Sequence, residues 1–183
     1  MDRSVKLLHS QAIGLTRRVC LQSSRAALRT EKCAGEDEED ADPMPMSKRE
    51  TEAFLKQPNV AVMAVTAPDG SPHSVPVWYE WKGGAAILFM FRESFKFKCL
   101  QHDPRITLVV DTKKRPYKCV ILKGRAEIEF KRADAWVRRI SISYYGKREG
   151  LKYADTLKGM EFAFATLRPE RVISWDYARD SDS

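Results

Sequence analysis

The sequence predicts a mainly β domain, a small antiparallel barrel of six or seven strands with helices packed around it. Three observations carry this. Short apolar or alternating stretches recur at 60–66, 73–81, 85–91, 106–111, 119–130, 161–167 and 172–175, each bounded by turn-forming residues. Pro68-Asp69-Gly70 is a strong hairpin turn, because proline fixes one backbone angle and glycine supplies the left-handed one. Gly124 falls where the long stretch 119–130 changes its pattern, which suggests the bend or bulge that a closing barrel needs at a corner.

Taken in order, the domain opens at Ser47. Ser47-Lys-Arg-Glu50 has the form of a capping box, and the helix behind it presents Phe54 and Leu55 to a core before Pro58-Asn59 stops it. In the returning strand, 73–81, Val75, Val77, Tyr79 and Trp81 alternate with Ser74, Pro76, Trp78 and Glu80. Pro76 has no N–H for a ladder. The strand is therefore an edge, a bulge, or turned at that position toward a ligand. In the second half of 119–130, Arg125, Glu127 and Glu129 read as outward, and Ala126, Ile128 and Phe130 as inward. Residues 131–145 read as an amphipathic helix with Trp136, Ile140 and Tyr144 on one stripe and Gly146 closing it. The stretch 150–158 is polar and is assigned to no element.

The centre of the chain is 85–105. The run from Ala85 to Phe91 is short and wholly apolar after Gly83-Gly84, so it reads as a strand buried on both faces. Ser94 is placed to cap a short helix carrying Lys96 and Lys98, which Asp103-Pro104 ends. A buried strand leading into a helical turn with lysines is an anion cradle, built from free backbone N–H groups, the helix dipole and full charges. The plainer alternative is a solvated basic loop of Arg92, Lys96 and Lys98.

Composition narrows the partners. The 183 residues are 43% hydrophobic, enough for a real core, yet no apolar run is long enough for a membrane span. From residue 47 onward 25 Lys/Arg face 17 Asp/Glu, so the folded part favours an anionic partner. Cys20, Cys33, Cys99 and Cys119 show neither disulfide-type nor zinc-type spacing, and a reducing cytoplasm is the expected setting. Residues 1–46 stand apart. The first part is basic and acid-poor, and the block Glu36-Asp37-Glu38-Glu39-Asp40 followed by Pro43 and Pro45 reads as a disordered linker. A start upstream of a natural one at Met46, or a transit segment, are further readings of this tail. Residues 178–183 read as a short C-terminal tail.

Most catalytic machinery is missing from the sequence. His9, His73 and His102 lie far apart and show no metal-ligand spacing. There is no nucleophile elbow, no evident Cys–His pair, no Walker loop and no Rossmann glycine fingerprint. An enzyme built on this chain would borrow its reactive atom from a cofactor.

The order of motifs then points to a family. The Pro68-Asp69-Gly70 turn, Pro72-His73-Ser74-Val75-Pro76-Val77-Trp78, Ser94-Phe95-Lys96, Asp103-Pro104-Arg105 and Lys123-Gly124-Arg125-Ala126-Glu127 follow one another as in the pyridoxamine 5′-phosphate oxidase-like, FMN-binding split-barrel superfamily. The ending Arg168-Pro169-Glu170-Arg171-Val172-Ile173-Ser174-Trp175-Asp176 resembles its flavin/deazaflavin oxidoreductase branch, many of whose members use coenzyme F420. The resemblance spans 47–177 and implies a split β-barrel with Greek-key character and a homodimer with the cofactor ring in a groove between subunits. It implies that Lys96 and Ser94, with Lys98 as a weaker match, meet the cofactor phosphate. It also implies that Ser74, Val75, Pro76, Val77 and Trp78 run along the ring and ribityl chain. Trp78 or Tyr79 would stack on the flat ring. The chain departs from the oxidase proper at Phe95, where that enzyme has an arginine. It departs again after Trp175, where Asp180-Ser181 replaces the oxidase ending, so vitamin B6 oxidation is not expected and Trp175 reads as a barrel plug. The expected function is hydride transfer between F420 or FMN and a small conjugated substrate. The positive charge suits the polyanionic tail of F420 slightly better, and the basic loop Lys113-Lys114-Arg115 could meet such a tail. His73 and Tyr79 are the candidate proton donors. A non-catalytic flavin- or haem-binding module is the alternative, and nucleic-acid binding through Phe95-Lys96-Phe97-Lys98 and Tyr117-Lys118 ranks last.

Overall fold

The computed structural model describes residues 45–178. The expected tails therefore lie largely outside the described residues. The element order is α1 (Lys48–Leu55), β1 (Ala61–Thr66), β2 (Pro72–Val77), β3 (Tyr79–Lys82), β4 (Ala85–Met90), α2 (Phe95–His102), β5 (Arg105–Asp111), β6 (Lys118–Lys131), α3 (Asp134–Thr156), β7 (Phe162–Leu167) and β8 (Arg171–Asp176).

All pairings are antiparallel, in the order β2-β1-β5-β6-β7-β4-β3, with β8 also on β6. There are eight strands rather than seven, because the single strand expected over 73–81 breaks at Trp78. The residues before the break pair with β1 and those after it with β4. The two ends of the sheet are thus neighbours in the chain. The sheet curls until its edges meet at one residue, leaving the barrel split there. Pro76 lies on β2, an edge of the sheet, so its missing N–H breaks no ladder.

Local chemistry explains the elements around this sheet. The Ser47 hydroxyl accepts from the Glu50 N–H at 3.3 Å while the Glu50 carboxylate accepts from the Ser47 N–H at 2.8 Å, and both satisfy helix-end donors. Gly83 and Gly84, at φ 59° and 72°, form the two-residue turn between β3 and β4 that no other residue adopts as easily. Gly124 is where β6 exchanges β8 for β7. A Cβ there would sit 3.0 Å from the Leu167 side chain and 3.2 Å from the Arg168 carbonyl, so the expected bend is a point of close backbone approach.

The core has two layers. Inside the barrel, Met63, Leu88, Leu108, Val110, Val120, Leu122 and Leu167 pack with Phe54, Leu55, Phe97 and Leu100. Outside it, Phe162, Phe164, Val137 and Leu157 form a second cluster against which Ile87, Phe89 and Trp136 pack. β4 is therefore covered on both faces, as its apolar run implied. α3 does not end at Gly146. That glycine (φ 79°, ψ 170°) interrupts it, and the chain folds back so that Gly150 lies against Ser141 and Ile142.

Two further expectations are corrected. Phe130, at the end of β6, is 45% exposed, with the Arg92 guanidinium 4.4 Å from its ring centre. Trp175 is only half-buried, in register with Cys119, and plugs nothing. Among the described residues no helix is long and apolar enough to cross a membrane.

Candidate cofactor groove at the split of the barrel

The break at Trp78 and the start of α2 bring distant residues together. A cavity of about 300 Å³ opens between them, lined by Pro76, Val77 and Trp78 from one side, Lys96 from another, and Val60, Phe89, Met90, Phe91 and Tyr153. Four residues expected from the sequence therefore share one site. Lys96 is half-buried, and no acid of the described residues pairs with it. Arg92 is committed elsewhere, to Glu161 at 2.7 Å. That removes it from the basic loop and leaves Lys96 as the cation of this cavity.

The other expected residues are placed differently. Ser94 occupies the N-cap position with extended backbone, but its hydroxyl donates to the Phe91 carbonyl at 2.6 Å and makes no cap bond. Its expected capping is thus not seen, and the N-cap side chain leaves the first turn of α2 uncapped. Lys98 is exposed and, two residues beyond Lys96 on a helix, faces another direction. Ser74 is exposed on the outer face of β2, and Val75 packs toward the barrel interior. Phe95 is 52% exposed, with its ring 5.0 Å from His73 in an edge-on contact, while Phe97 is buried.

Trp78 is held rather than free. Tyr144 stacks on it at 4.7 Å and 12°, and Tyr145 and Tyr153 meet it edge-on at 4.8 and 5.5 Å. Tyr79, expected as a possible ring-stacking or proton-donating group, is buried and donates its hydroxyl to the Leu55 carbonyl at 3.0 Å. Burial pushes its phenol far above the ordinary range, so it serves the core. Tyr144 bridges the break, accepting from the Tyr79 N–H at 3.1 Å and lying 3.0 Å from the Asn59 carbonyl. Burial pushes its phenol up to about 12. Glu80 anchors α3 to β3. Burial alone would raise its carboxyl, but hydrogen bonds from Arg139 and Trp136 bring it below the usual range.

Tyr153 is the lining residue that the sequence did not announce. It lies on the arm of α3 beyond Gly146, whose period (Gly150, Ala154 and Leu157 buried) is the signal that was available. Burial also raises its phenol, with the neighbouring Tyr145 adding to the effect. A larger groove of about 790 Å³ lies between α1 and β8, lined by Met46, Leu55, Trp81 and Val172, but it contains none of the residues expected to bind. Among the described residues no group of His, Cys, Asp and Glu is placed to hold a metal ion.

Comparison with known proteins bears on the family and the fold. Residues 47–176 match the pyridoxamine 5′-phosphate oxidase family model. A comparison with curated proteins gave no match. Among solved structures, a conserved hypothetical protein from Mycobacterium tuberculosis is similar at 22% identity and TM-score 0.62, covering 78% of this chain and 92% of that one. An F420 reductase is similar at 18% identity and TM-score 0.53, covering 66% and 94%. The haem storage protein HutZ from Vibrio cholerae is similar at 13% identity and TM-score 0.55, covering 70% and 94%. At such identities these likenesses speak for the fold. With the family model spanning nearly the whole described domain, the chain belongs to the pyridoxamine 5′-phosphate oxidase-like split-barrel family.

Proposed function

We propose that the chain is an oxidoreductase that transfers a hydride between F420 or FMN and a small conjugated substrate. The observation that carries this is Lys96, an unpaired cation beside an uncapped helix start, at one end of a cavity walled by Pro76, Val77, Trp78 and Phe91. A flat ring with an anionic tail fits that donor set: apolar and aromatic walls for the ring, a lysine and helix N–H groups for the phosphate. When bound, the cofactor supplies the hydride chemistry. The chain's own part is to hold the anion at Lys96 Nζ, to lay the ring against the β2 edge, and to keep water off through Phe89, Phe91 and Tyr153. Ser94, Lys98, Ser74 and Val75 remain part of the proposed binding set, with secondary roles.

The active form proposed is a homodimer. On the outer face of the sheet, Pro76, Val62, Val109 and Ile121 stand side by side in register, with Val62 40% exposed. This apolar row continues through Pro76 and Val60 into the cavity lining, so a second copy seated on it would wall the cofactor groove. A cytoplasmic location is proposed on the buried free thiol of Cys99.

The test is a titration of the full chain with FMN and with F420, followed by fluorescence. Tight binding of either, weakened roughly tenfold or more by Lys96→Ala with an unchanged melting curve, supports the reading. If neither binds, the enzyme reading fails. Haem binding in its place would favour the non-catalytic alternative.

A further inference from the structure

A second groove opens on the same outer face of the sheet, at the opposite end of β2. Its volume is about 540 Å³, and Arg105, Lys123 and Arg125 line it together with Thr66, Pro72 and Glu170. Register explains the cluster. Ala64, Thr107 and Lys123 stand side by side one row beyond the apolar row of Val62, Val109 and Ile121, and the next row pairs Arg105 with Arg125. The face therefore grades from apolar to cationic along the strands. Like charges placed opposite each other on neighbouring strands are unfavourable by themselves, so the arrangement costs stability. Arg105 is relieved by Asp103, whose carboxylate accepts from its Nε at 2.8 Å and is held at about 2 by that contact. Lys123 and Arg125 have no ion-pair partner among the described residues, and Glu170 is the one carboxylate in the lining.

We propose that this groove is an anion-binding site for a small polyanion bearing phosphate or carboxylate groups, with Lys123 and Arg125 as its binding cations. The lining contains no aromatic side chain, which disfavours the base stacking that single-stranded nucleic acid uses. The groove shares no lining residue with the cavity of Lys96, so it stands independently of the cofactor reading. Pro72 and Pro76, one in each lining, are four residues apart on β2, a span of about 13 Å in extended backbone. A long anionic ligand held at Lys96 could reach it, or a separate molecule could occupy it.

Tripolyphosphate is the probe. Isothermal titration of the full chain at low salt should show binding that weakens steeply as salt rises. In a Lys96→Ala background, which removes the cation of the cofactor cavity, adding Lys123→Gln and Arg125→Gln should weaken binding roughly tenfold or more, with an unchanged circular dichroism spectrum. The two glutamine substitutions leave the Arg105–Asp103 pair intact. Repeating the titration with FMN present separates the two sources, since competition indicates one spanning ligand and independence a separate polyanion. Equal binding with and without the two glutamine substitutions, or no binding at all, overturns the proposal. So does a thymidine oligonucleotide that binds more tightly than tripolyphosphate and is lost on the same substitutions.

Discussion

Tyr144 closes the gap that the break at Trp78 creates, and replacing it by phenylalanine isolates that function. The substitution keeps the ring that stacks on Trp78 at 4.7 Å and removes one oxygen. That oxygen accepts from the Tyr79 N–H at 3.1 Å and donates toward the carbonyls of Asn59 at 3.0 Å and Tyr79 at 3.1 Å. It thus serves the open edge of β3 as a neighbouring strand would. Without it an N–H and a carbonyl in a half-buried site lose their partner, at about 1–3 kcal/mol for each group left unsatisfied. We expect Tyr144→Phe to cost about 2–6 kcal/mol in urea unfolding, with an unchanged m-value, and to lower the melting temperature by several degrees. The same phenol has a pH signature. Its folded value is raised to about 12 against an unfolded value near 10, so its proton contributes nothing to pH dependence below pH 10. Above that, the unfolded chain ionises first, and stability falls between about pH 10 and 12. The phenylalanine variant should lose part of that alkaline decline. A cost below about 0.5 kcal/mol would refute the bridging role.

Other outcomes follow from the same structure. Gly150→Ala would place a Cβ 2.5 Å from the Ser141 carbonyl and 2.6 Å from Ile142 Cα, forcing the arms of α3 apart. A loss of about 3 kcal/mol or more is expected in thermal unfolding, and a neutral result would contradict the fold-back. Ser47→Ala removes the capping hydroxyl and should lower stability by about 1 kcal/mol, read from the urea midpoint. Val62→Lys sets a charge in the outer apolar row. It should convert a dimer to monomers in light scattering without changing the far-UV spectrum, and an unchanged mass would argue against that interface.

Much of the architecture was legible in the residues. The capping box, the Pro68-Asp69-Gly70 turn and the doubly covered β4 rest on local chemistry, and each is found where its residues stand, while Gly124 marks a close approach and a change of partner strand. What escaped was set by tertiary closure. Apolar alternation runs unbroken from Val75 through Trp81, so nothing local marks Trp78 as the point where one strand becomes two. Gly146 carries the same ambiguity, because a left-handed glycine both ends helices and folds them back. The choice depends on Gly150 finding Ser141. Tyr153 was missed with that second arm. Lys98 was the weaker match to Lys96 in sequence, and the helix turns the two to different faces.

The proline-bearing edge has a consequence beyond ligand geometry. A sheet that stops short of closing presents free strand edges, and such edges recruit other chains into unwanted ladders. Here β3 is only four residues long, and β2 carries Pro72 and Pro76, neither with an N–H to offer a newcomer. The residues that leave the barrel open also keep it from growing into a fibre. This domain can therefore keep an open seam without the aggregation that an ordinary seam would invite.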